Sequence, residues 1–299
     1  MKRDFLRLAD LSLAEHQAIF QRARQLKERR RKHLLDNSLN GRTLVLLFEK
    51  PSTRTRLSFE AAMFQLGGSA LTLNAADSQL GRGETIEDTA RVISRYADAI
   101  ILRTFGEDRL RQFAAAATVP VINGLSDGGH PVQLLADLFT VEERLRSVEG
   151  KKVAFVGDGT SNMARSWVEA AHLFNFTLRI AAPASYQLPE AELKAFRVQG
   201  TADPAEAVRN ADVIATDVWT SMGQEDEAQK RRRALRGFAV DEALLAKAKR
   251  ECIVLHCLPA HRGEEISAGV LDGPQSAVFD EAENRMHVQK ALLEQLILH

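Results

Sequence analysis

The segment Ser52–Arg56 places two kinds of anion-binding side chain, hydroxyls and guanidiniums, directly after the apolar run Leu44–Phe48 and at the start of helical spacing. The first turn of a helix offers free backbone N–H groups and the positive end of the helix dipole, which both attract phosphate. Arginine adds planar pairs of donors that match phosphate oxygens. The glycine-rich P-loop pattern is absent from this stretch. The sequence therefore predicts a phosphate site, and the alternative is an ordinary helix N-cap with solvated arginines.

Two further groups in the first half of the chain also follow apolar runs. Arg103 ends the run from residue 99, and an arginine buried there needs a counter-charge, which a bound anion would supply. His130 and Gln133 are three residues apart at a helix start opened by Pro131, so both can face one ligand. A surface arginine and a structural histidine cap are the alternative interpretations.

The second half contains a glycine-bearing loop that resembles a dinucleotide site only in part. Gly157 and Gly159 follow an apolar run, but Asn162 stands where the pattern GxGxxG has its third glycine. No acidic residue is placed to bind a ribose as that fingerprint requires. We therefore do not expect NAD or any other cofactor.

Polar residues end two later apolar runs. Asp217 could pair with a cationic amino group, and Ser221 could add a hydrogen bond. Cys257 falls at a strand end, where a thiol can meet a ligand. The spacing of His256, Cys257 and His261 matches no zinc pattern, so no metal is expected. The polar stretch 224–236 is either a mobile lid or a solvated loop.

Composition limits the classes of function. The chain has 299 residues, which predicts two domains, and its 40 basic and 40 acidic residues give a net charge of zero. No global field attracts nucleic acid or an anionic membrane. Two cysteines suit a reducing compartment. The charged N-terminus leads into no long apolar run, so we expect no signal peptide, transit peptide or membrane span, and a cytoplasmic location.

Apolar runs alternate with helical patterns along the whole chain, which predicts an α/β fold with two doubly wound parallel-sheet domains linked by long helices. A long helix over Pro131–Arg146 could connect them, and a helix is also predicted over Asp241–Arg250. The predicted strands are Thr43–Phe48, Ala70–Leu73, Ala99–Leu102, Val119–Ile122, Val153–Gly157, Leu178–Ala181, Val213–Thr216 and Cys252–Leu255. In such sheets ligands bind at the carboxyl ends of strands, where the polar groups above are placed.

Five motifs in order resemble the ornithine carbamoyltransferases, within the aspartate/ornithine carbamoyltransferase superfamily. They are Phe48-Glu49-Lys50 with Ser52–Arg56, His130–Gln133, Asp217–Gly223, His256–Pro259 and Glu281–Arg285. The resemblance covers residue 40 to the C-terminus. It implies transfer of the carbamoyl group of carbamoyl phosphate to the δ-amino group of L-ornithine, giving L-citrulline and phosphate, as in arginine biosynthesis or the urea cycle.

The resemblance also implies roles for individual residues. A domain of residues 1–147, on which a C-terminal helix 282–299 packs, would bind carbamoyl phosphate, and residues 148–281 would bind ornithine. Carbamoyl phosphate would be bound by Ser52, Thr53, Arg54, Thr55, Gln79, Arg103, His130, Gln133, Cys257, Leu258 and Arg285. Ornithine would be bound by Asn162, Asp217, Ser221 and Met222, and the catalytic groups would be Arg103, His130, Asp217 and Cys257.

Gln79 resembles the residue that reaches into a neighbouring subunit's site, which implies a homotrimer or a multiple of trimers. One departure is Val132, where the family commonly has cysteine. Two alternatives remain open at this point. One is a sister carbamoyltransferase acting on aspartate, putrescine or an acylated ornithine. The other is a non-catalytic two-domain nucleotide-binding or regulatory protein, which would not explain the arginine–hydroxyl cluster. The general base is left open between Asp217, Cys257 and an ornithine bound in its neutral form.

Overall fold

The computed structural model describes residues 2–77, 79, 83–220 and 225–298. The chain divides into two compact units. The first consists of Met1–Leu135 and Glu283–His299, and the second of Ala136–Ala282.

The first unit is built on a four-stranded parallel sheet with the order β2-β1-β3-β4. Its elements in chain order are α1 (Leu13–Arg31), β1 (Thr43–Phe48), α2 (Thr53–Gln65), β2 (Ser69–Asn74), α3 (Ile86–Ile93), β3 (Ala99–Arg103), α4 (Glu107–Ala116), β4 (Val121–Leu125) and the start of α5 (Pro131–Leu145).

Burial explains why these runs form central strands. Strand β3 is buried along its whole length, and β1 is buried from Leu44 to Phe48. A strand covered on both faces reads as a continuous apolar run, which is the pattern of a parallel sheet between helices. Val45 and Leu47 pack with Ile100 and Leu102 against Phe113. The edge strand β2 is largely exposed.

The second unit contains a five-stranded parallel sheet with the order β7-β6-β5-β8-β9. After the rest of α5, its elements are β5 (Lys152–Val156), α6 (Asn162–Phe174), β6 (Thr177–Ala181), α7 (Glu190–Phe196), β7 (Gln199–Thr201), α8 (Pro204–Val208), β8 (Val213–Thr216), α9 (Ala228–Leu235), α10 (Glu242–Leu245), β9 (Ile253–His256), α11 (Ala268–Leu271) and α12 (Val278–Leu298), which continues into the first unit.

The two sheets confirm the predicted α/β class with two parallel-sheet domains, and both long helices, α5 and α12, run across a unit boundary. In each sheet the chain reverses its direction of winding, between β1 and β3 in the first and between β5 and β8 in the second. Such switch points open a crevice at the carboxyl ends of the strands, where ligands bind in this class of fold.

The structure differs from the predicted elements at several places. The polar stretch 224–236, predicted as a mobile lid or a solvated loop, contains helix α9 over Ala228–Leu235, because Leu235 packs against Tyr186 and Trp219 and Arg231 is buried. Strand β4 runs over Val121–Leu125, later than the predicted Val119–Ile122.

The short edge strand β7 was not predicted, because Gln199-Gly200-Thr201 contains no apolar run. A helix expected over Asp241–Arg250 is limited to Glu242–Leu245, since the backbone N–H of Lys249 donates to Ala211 O instead of continuing the helix. Among the described residues, no helix is long and apolar enough to cross a membrane.

Candidate functional site

The first group of candidate residues lies at the carboxyl edge of the first sheet. Phe48, at the end of β1, is paired with Arg103 at the end of β3. The chain after Phe48 leads into Ser52–Thr55, and the chain after β4 leads into His130 and Gln133. Adjacent parallel strands end at the same edge, so the fold brings these three predicted segments to one side of the sheet.

Helix α2 begins with a hydroxyl cap. Ser52 Oγ accepts a hydrogen bond from the backbone N–H of Thr55 at 3.3 Å and donates to Thr55 Oγ1 at 2.8 Å. Thr53 is exposed and Arg54 is half-buried beside it. Arg56 instead binds Glu60 at 2.9 Å, so its guanidinium already has a carboxylate partner. The first turn thus presents hydroxyls, backbone N–H groups and Arg54 for an anion.

Arg285, on α12, connects three of the predicted residues. Its guanidinium donates to Thr55 Oγ1 at 2.6 Å and to Gln133 Oε1 at 2.9 Å, and it lies 3.4 Å from His130 Nε2. Thr55, His130, Gln133 and Arg285 are therefore joined in one buried network, although Thr55 and Arg285 are 230 residues apart in the sequence. Since a guanidinium can only donate, Nε2 of His130 accepts and the proton of the neutral ring lies on Nδ1.

Electrostatics keep His130 uncharged. Its side chain is buried, and Arg285, Arg103 and Arg54 surround it with positive charge, so its pKa is lowered well below its ordinary value. A neutral imidazole among three cations can donate its N–H to an oxygen without adding repulsion against them. The same three cations form a local positive field suited to a dianion.

Two residues that sequence reasoning did not select stabilise this edge. Glu49 accepts hydrogen bonds from Thr104 Oγ1 and from Arg109 Nε, the latter at 3.1 Å. The buried Lys50 binds Asp127 at 2.6 Å and lies 4.1 Å from the ring centroid of Phe105. Both belong to the quoted Phe48-Glu49-Lys50 motif, so their position directly after β1 was a signal available in the sequence.

In the second unit, Asp217 and Cys257 meet at the carboxyl ends of β8 and β9. Cys257 Sγ donates to Asp217 Oδ1 at 3.2 Å, and the backbone N–H of Val218 donates to the same oxygen at 2.8 Å. Burial raises the pKa of Asp217. Burial, followed by the nearby Asp217 carboxylate, raises the pKa of Cys257 well above its ordinary value. The thiol therefore acts as a donor, not as a thiolate.

His256 is fixed by partners on both ring nitrogens. Its Nδ1 accepts the backbone N–H of Leu258 at 2.9 Å, so Nε2 carries the proton and donates to Glu265 Oε1 at 3.1 Å. The backbone N–H of His256 also donates to Glu281 at 3.0 Å. Leu258 has a φ of +57°, a region that residues other than glycine rarely adopt, and the His256 contact stabilises it there.

The loop after β5 contains Asn162, the first residue of α6. Ser161 caps that helix by accepting the backbone N–H of Ala164 at 3.1 Å. Just before it, Asp158 forms a buried ion pair with Arg231 of α9. Sequence reasoning selected neither Asp158 nor Arg231, because 73 residues separate them and no local pattern marks the pair.

Gln79, Ser221 and Met222 are the other predicted binding residues. Gln79 is exposed. Ser221 and Met222 lie outside the described residues. Potential metal-ligating atoms of Asp217, His256 and Cys257 lie within 4.8 Å of one another, a grouping that linear spacing did not indicate because Asp217 comes from a different strand. The hydrogen bonds described above use the thiol and both imidazole nitrogens of that group.

Comparison with known proteins shows which families and structures the chain is similar to. Residues 3–143 match the family model described as aspartate/ornithine carbamoyltransferase, carbamoyl-P binding domain. Residues 149–296 match the aspartate/ornithine carbamoyltransferase, Asp/Orn binding domain. An ornithine carbamoyltransferase of Halorhodospira halophila is 54% identical over 299 residues, with 99% of each chain covered.

Solved structures agree with this similarity. The ornithine carbamoyltransferase from Pyrococcus furiosus superposes with a TM-score of 0.91 at 47% identity, covering 98% of this chain and 96% of that one. The enzyme of the same name from Burkholderia thailandensis gives a TM-score of 0.91 at 47% identity, with 99% of each chain covered.

Proposed function

The chain belongs to the aspartate/ornithine carbamoyltransferase family, and we infer from this premise that it transfers the carbamoyl group of carbamoyl phosphate to the δ-amino group of L-ornithine, giving L-citrulline and phosphate. The observation that carries the inference beyond the family is the buried network of Thr55, His130, Gln133 and Arg285 beside the start of α2. It combines anion-binding groups with a neutral imidazole, as a phosphorylated carbonyl substrate requires.

Carbamoyl phosphate binds in the first unit under this proposal. Its phosphate contacts the Ser52–Thr55 turn, where N–H groups and Arg54 provide donors. Its carbonyl oxygen lies near Arg103, His130 and Gln133, and Arg285 completes the pocket. Cys257, Leu258 and the Gln79 of a neighbouring copy are assigned further contacts with this substrate by the resemblance.

The first catalytic step is attack on the carbonyl carbon. The lone pair of the δ-nitrogen forms the new C–N bond, and negative charge develops on the carbonyl oxygen. Arg103 and the N–H of neutral His130 stabilise that charge, a role in which one donor contributes roughly 3 kcal/mol to lowering the barrier. The C–O bond to phosphate then breaks, and the phosphate leaves as an anion bound at the start of α2.

Ornithine is assigned to the second unit, where Asn162, Asp217, Ser221 and Met222 are its proposed contacts. The δ-amino group resembles a lysine amine, with a pKa near roughly 10, so it must lose one proton before its lone pair can attack. The nitrogen loses a second proton after the C–N bond forms, and the departing phosphate takes up that proton. Cys257 is a poor base because burial keeps its thiol protonated. Asp217 has a pKa raised by burial and is therefore the better acceptor of the first proton.

Assembly and location complete the proposal. Leu57 and Phe64 on α2 and Leu71 on the edge strand β2 are exposed apolar side chains. They support a homotrimer, in which a second copy would cover them. The reducing conditions suited to free Cys252 and Cys257 support a cytoplasmic location. The product citrulline supports a place in arginine biosynthesis.

A substrate panel tests the proposed reaction. Carbamoyl phosphate carrying a radiolabelled carbamoyl carbon is incubated with the purified protein and ornithine, aspartate, putrescine or an N-acylated ornithine. We expect label in citrulline, with phosphate released in equal amount. Aspartate would need cationic groups where the chain provides Asp217. Labelled product from another amine and none from ornithine would reject the proposal in favour of a sister transferase.

A further inference from the structure

A buried ion pair in the second unit has no role in the reaction described so far. The side chains of Arg231 and Asp158 are 6% and 5% exposed, and the Arg231 guanidinium donates to Asp158 Oδ2. Two charges removed from water in this way are costly unless well paired, and such a pair adds little net stability compared with apolar side chains of similar size. Its presence calls for an explanation other than stability alone.

The two residues that accept hydrogen bonds from Arg231 belong to two different loops. Its Nε donates to the backbone oxygen of Trp219 at 2.6 Å, while Nη2 binds Asp158. The guanidinium carbon also lies 4.8 Å from the ring centroid of Tyr186, a distance typical of a cation–π contact. Two nitrogens and one face of the planar guanidinium are thus in contact with partners. These contacts fix the orientation of the group.

Each of these loops contains a proposed substrate residue. Trp219 is two residues after Asp217 at the end of β8. Asp158 precedes Asn162 in the loop after β5, and its other oxygen accepts from the backbone N–H of Thr160 at 2.8 Å and from Thr160 Oγ1 at 2.7 Å. One guanidinium therefore ties together the two strand-end segments on either side of the switch point between β5 and β8.

We propose that Arg231 is a positioning residue for the amino-acid substrate, aligning the Asp217 segment with the Asn162 segment through its simultaneous bonds to Trp219 and Asp158. The inference rests on the proposed function of these segments. Arginine is suited to this task because its N–H donors point in different directions within one rigid plane. A lysine would keep the positive charge but would have a single nitrogen in place of the planar fork.

The test uses Arg231→Lys and Asp158→Asn in the full chain, with Arg232→Lys as the matched control. Arg232 is the next residue of α9, and its Nε binds Glu264 at 3.0 Å in an exposed pair. Steady-state kinetics give KM for ornithine and kcat. Isothermal titration gives Kd for carbamoyl phosphate without ornithine. Thermal unfolding reports stability separately.

We expect both variants to raise KM for ornithine about tenfold or more, since small misplacements of binding groups have effects of this size. Turnover at saturating ornithine should fall as well, because Asp217 is also the proposed proton acceptor, whereas the Kd for carbamoyl phosphate should stay within about twofold and Arg232→Lys should match the parent. An ornithine KM near the parent value in both variants would overturn the proposal, even if both melt earlier.

A parallel loss of carbamoyl phosphate binding would also overturn it, because a general structural role would then explain the data. Failure of the parent protein itself to form citrulline is a different result, which rejects the proposed function instead. The parent assay and the variant comparison therefore separate the two hypotheses.

Discussion

His130 is buried, and its imidazole ring is uncharged although it lies within a positive field. Burial disfavours the imidazolium, and Arg285, Arg103 and Arg54 disfavour it further. Under the proposed function, the arginines supply charge for the phosphate, while His130 supplies a neutral donor for the carbonyl oxygen. Division of these two tasks between residue types is the main chemical feature of the first unit.

The pKa of His130 predicts a pH-dependent stability difference. Below about pH 6.5 the unfolded histidine binds a proton that the folded one does not, so stability is lost as pH falls. We expect His130→Asn to remove this loss, which amounts to at most about 1.4 kcal/mol per pH unit. Urea unfolding of parent and variant between pH 5 and 7.5, in buffers without phosphate, measures the difference. A stability difference between parent and variant that does not change with pH would contradict the lowered pKa of folded His130.

Arg54→Ala should weaken carbamoyl phosphate binding while leaving the fold intact. Loss of a charge-assisted hydrogen bond costs about 1.5–3 kcal/mol, or roughly a 10- to 150-fold increase in Kd. Isothermal titration measures it. Arg56→Ala is the control, because Arg56 is paired with Glu60 on an exposed face and should change Kd little. Equal effects of both substitutions would show that general charge, not the position of Arg54, attracts the ligand.

At the residue scale, sequence predicted the groups that stand in local patterns. Ser52–Thr55, Arg103, His130 and Gln133 each follow an apolar run, and the structure brings them to one sheet edge. The sequence alone could not show that Arg285 binds Thr55, since 230 residues separate them. Such contacts depend on tertiary packing, which periodicity does not record. The roles of these residues stay predictions.

At the scale of elements, the proposed anion site is a helix start after a parallel strand, and the helix cap decides its local geometry. Ser52 accepts the Thr55 N–H at 3.3 Å, and Ser12 accepts the Glu15 N–H of α1 at the same distance. The two helices therefore have matched serine caps. Only the Ser52 cap is adjacent to the proposed phosphate position.

The serine caps Ser52 and Ser12 allow the effect of capping on stability to be measured separately from the effect on ligand binding. Ser52→Ala and Ser12→Ala should each lower the free energy of unfolding by about 1 kcal/mol, because a helix N–H loses its acceptor. Only Ser52→Ala should also raise the Kd for carbamoyl phosphate, by about three- to tenfold for a neutral hydrogen bond. Urea unfolding and titration calorimetry measure the two effects. If Ser52→Ala and Ser12→Ala bind carbamoyl phosphate with the same Kd, Ser52 does not contact the ligand.

The elements themselves were predictable where apolar runs are long. Strand β8 has the predicted bounds Val213–Thr216, and β1 has the predicted bounds Thr43–Phe48. The strand β7 was missed because its residues are polar or glycine. Helix α10 ends early although the following residues favour a helix, since Lys249 Nζ binds Asp212 at 2.6 Å and its backbone N–H binds Ala211. Tertiary contacts there override local propensity.

At the scale of the whole molecule, the proposed trimer predicts complementation between inactive variants. Arg54→Ala and Gln79→Ala each damage every site in their own assembly if Gln79 acts in a neighbour's site. Hybrids formed by mixing both after mild dissociation contain interfaces with an intact Arg54 and an intact Gln79. We expect citrulline formation to return in the mixture.

The control for complementation is each variant taken through the same dissociation alone, which should stay inactive. Light scattering coupled to size exclusion measures the mass of each sample. Mixing that restores no activity, despite exchange of subunits, would contradict the shared site. A monomeric mass for the active parent would contradict the trimer itself.

The first unit is assembled from two distant stretches of chain, because Glu283–His299 joins Met1–Leu135. Arg285, which bonds to Thr55 and Gln133, therefore leaves the ribosome long after its partners. A nascent chain exposing only the earlier stretch has the Ser52 turn but lacks this guanidinium. If Arg285 completes the site as proposed, we expect competence to capture the phosphorylated ligand to arise late in translation, and shortened products that stop before residue 285 to bind it less tightly.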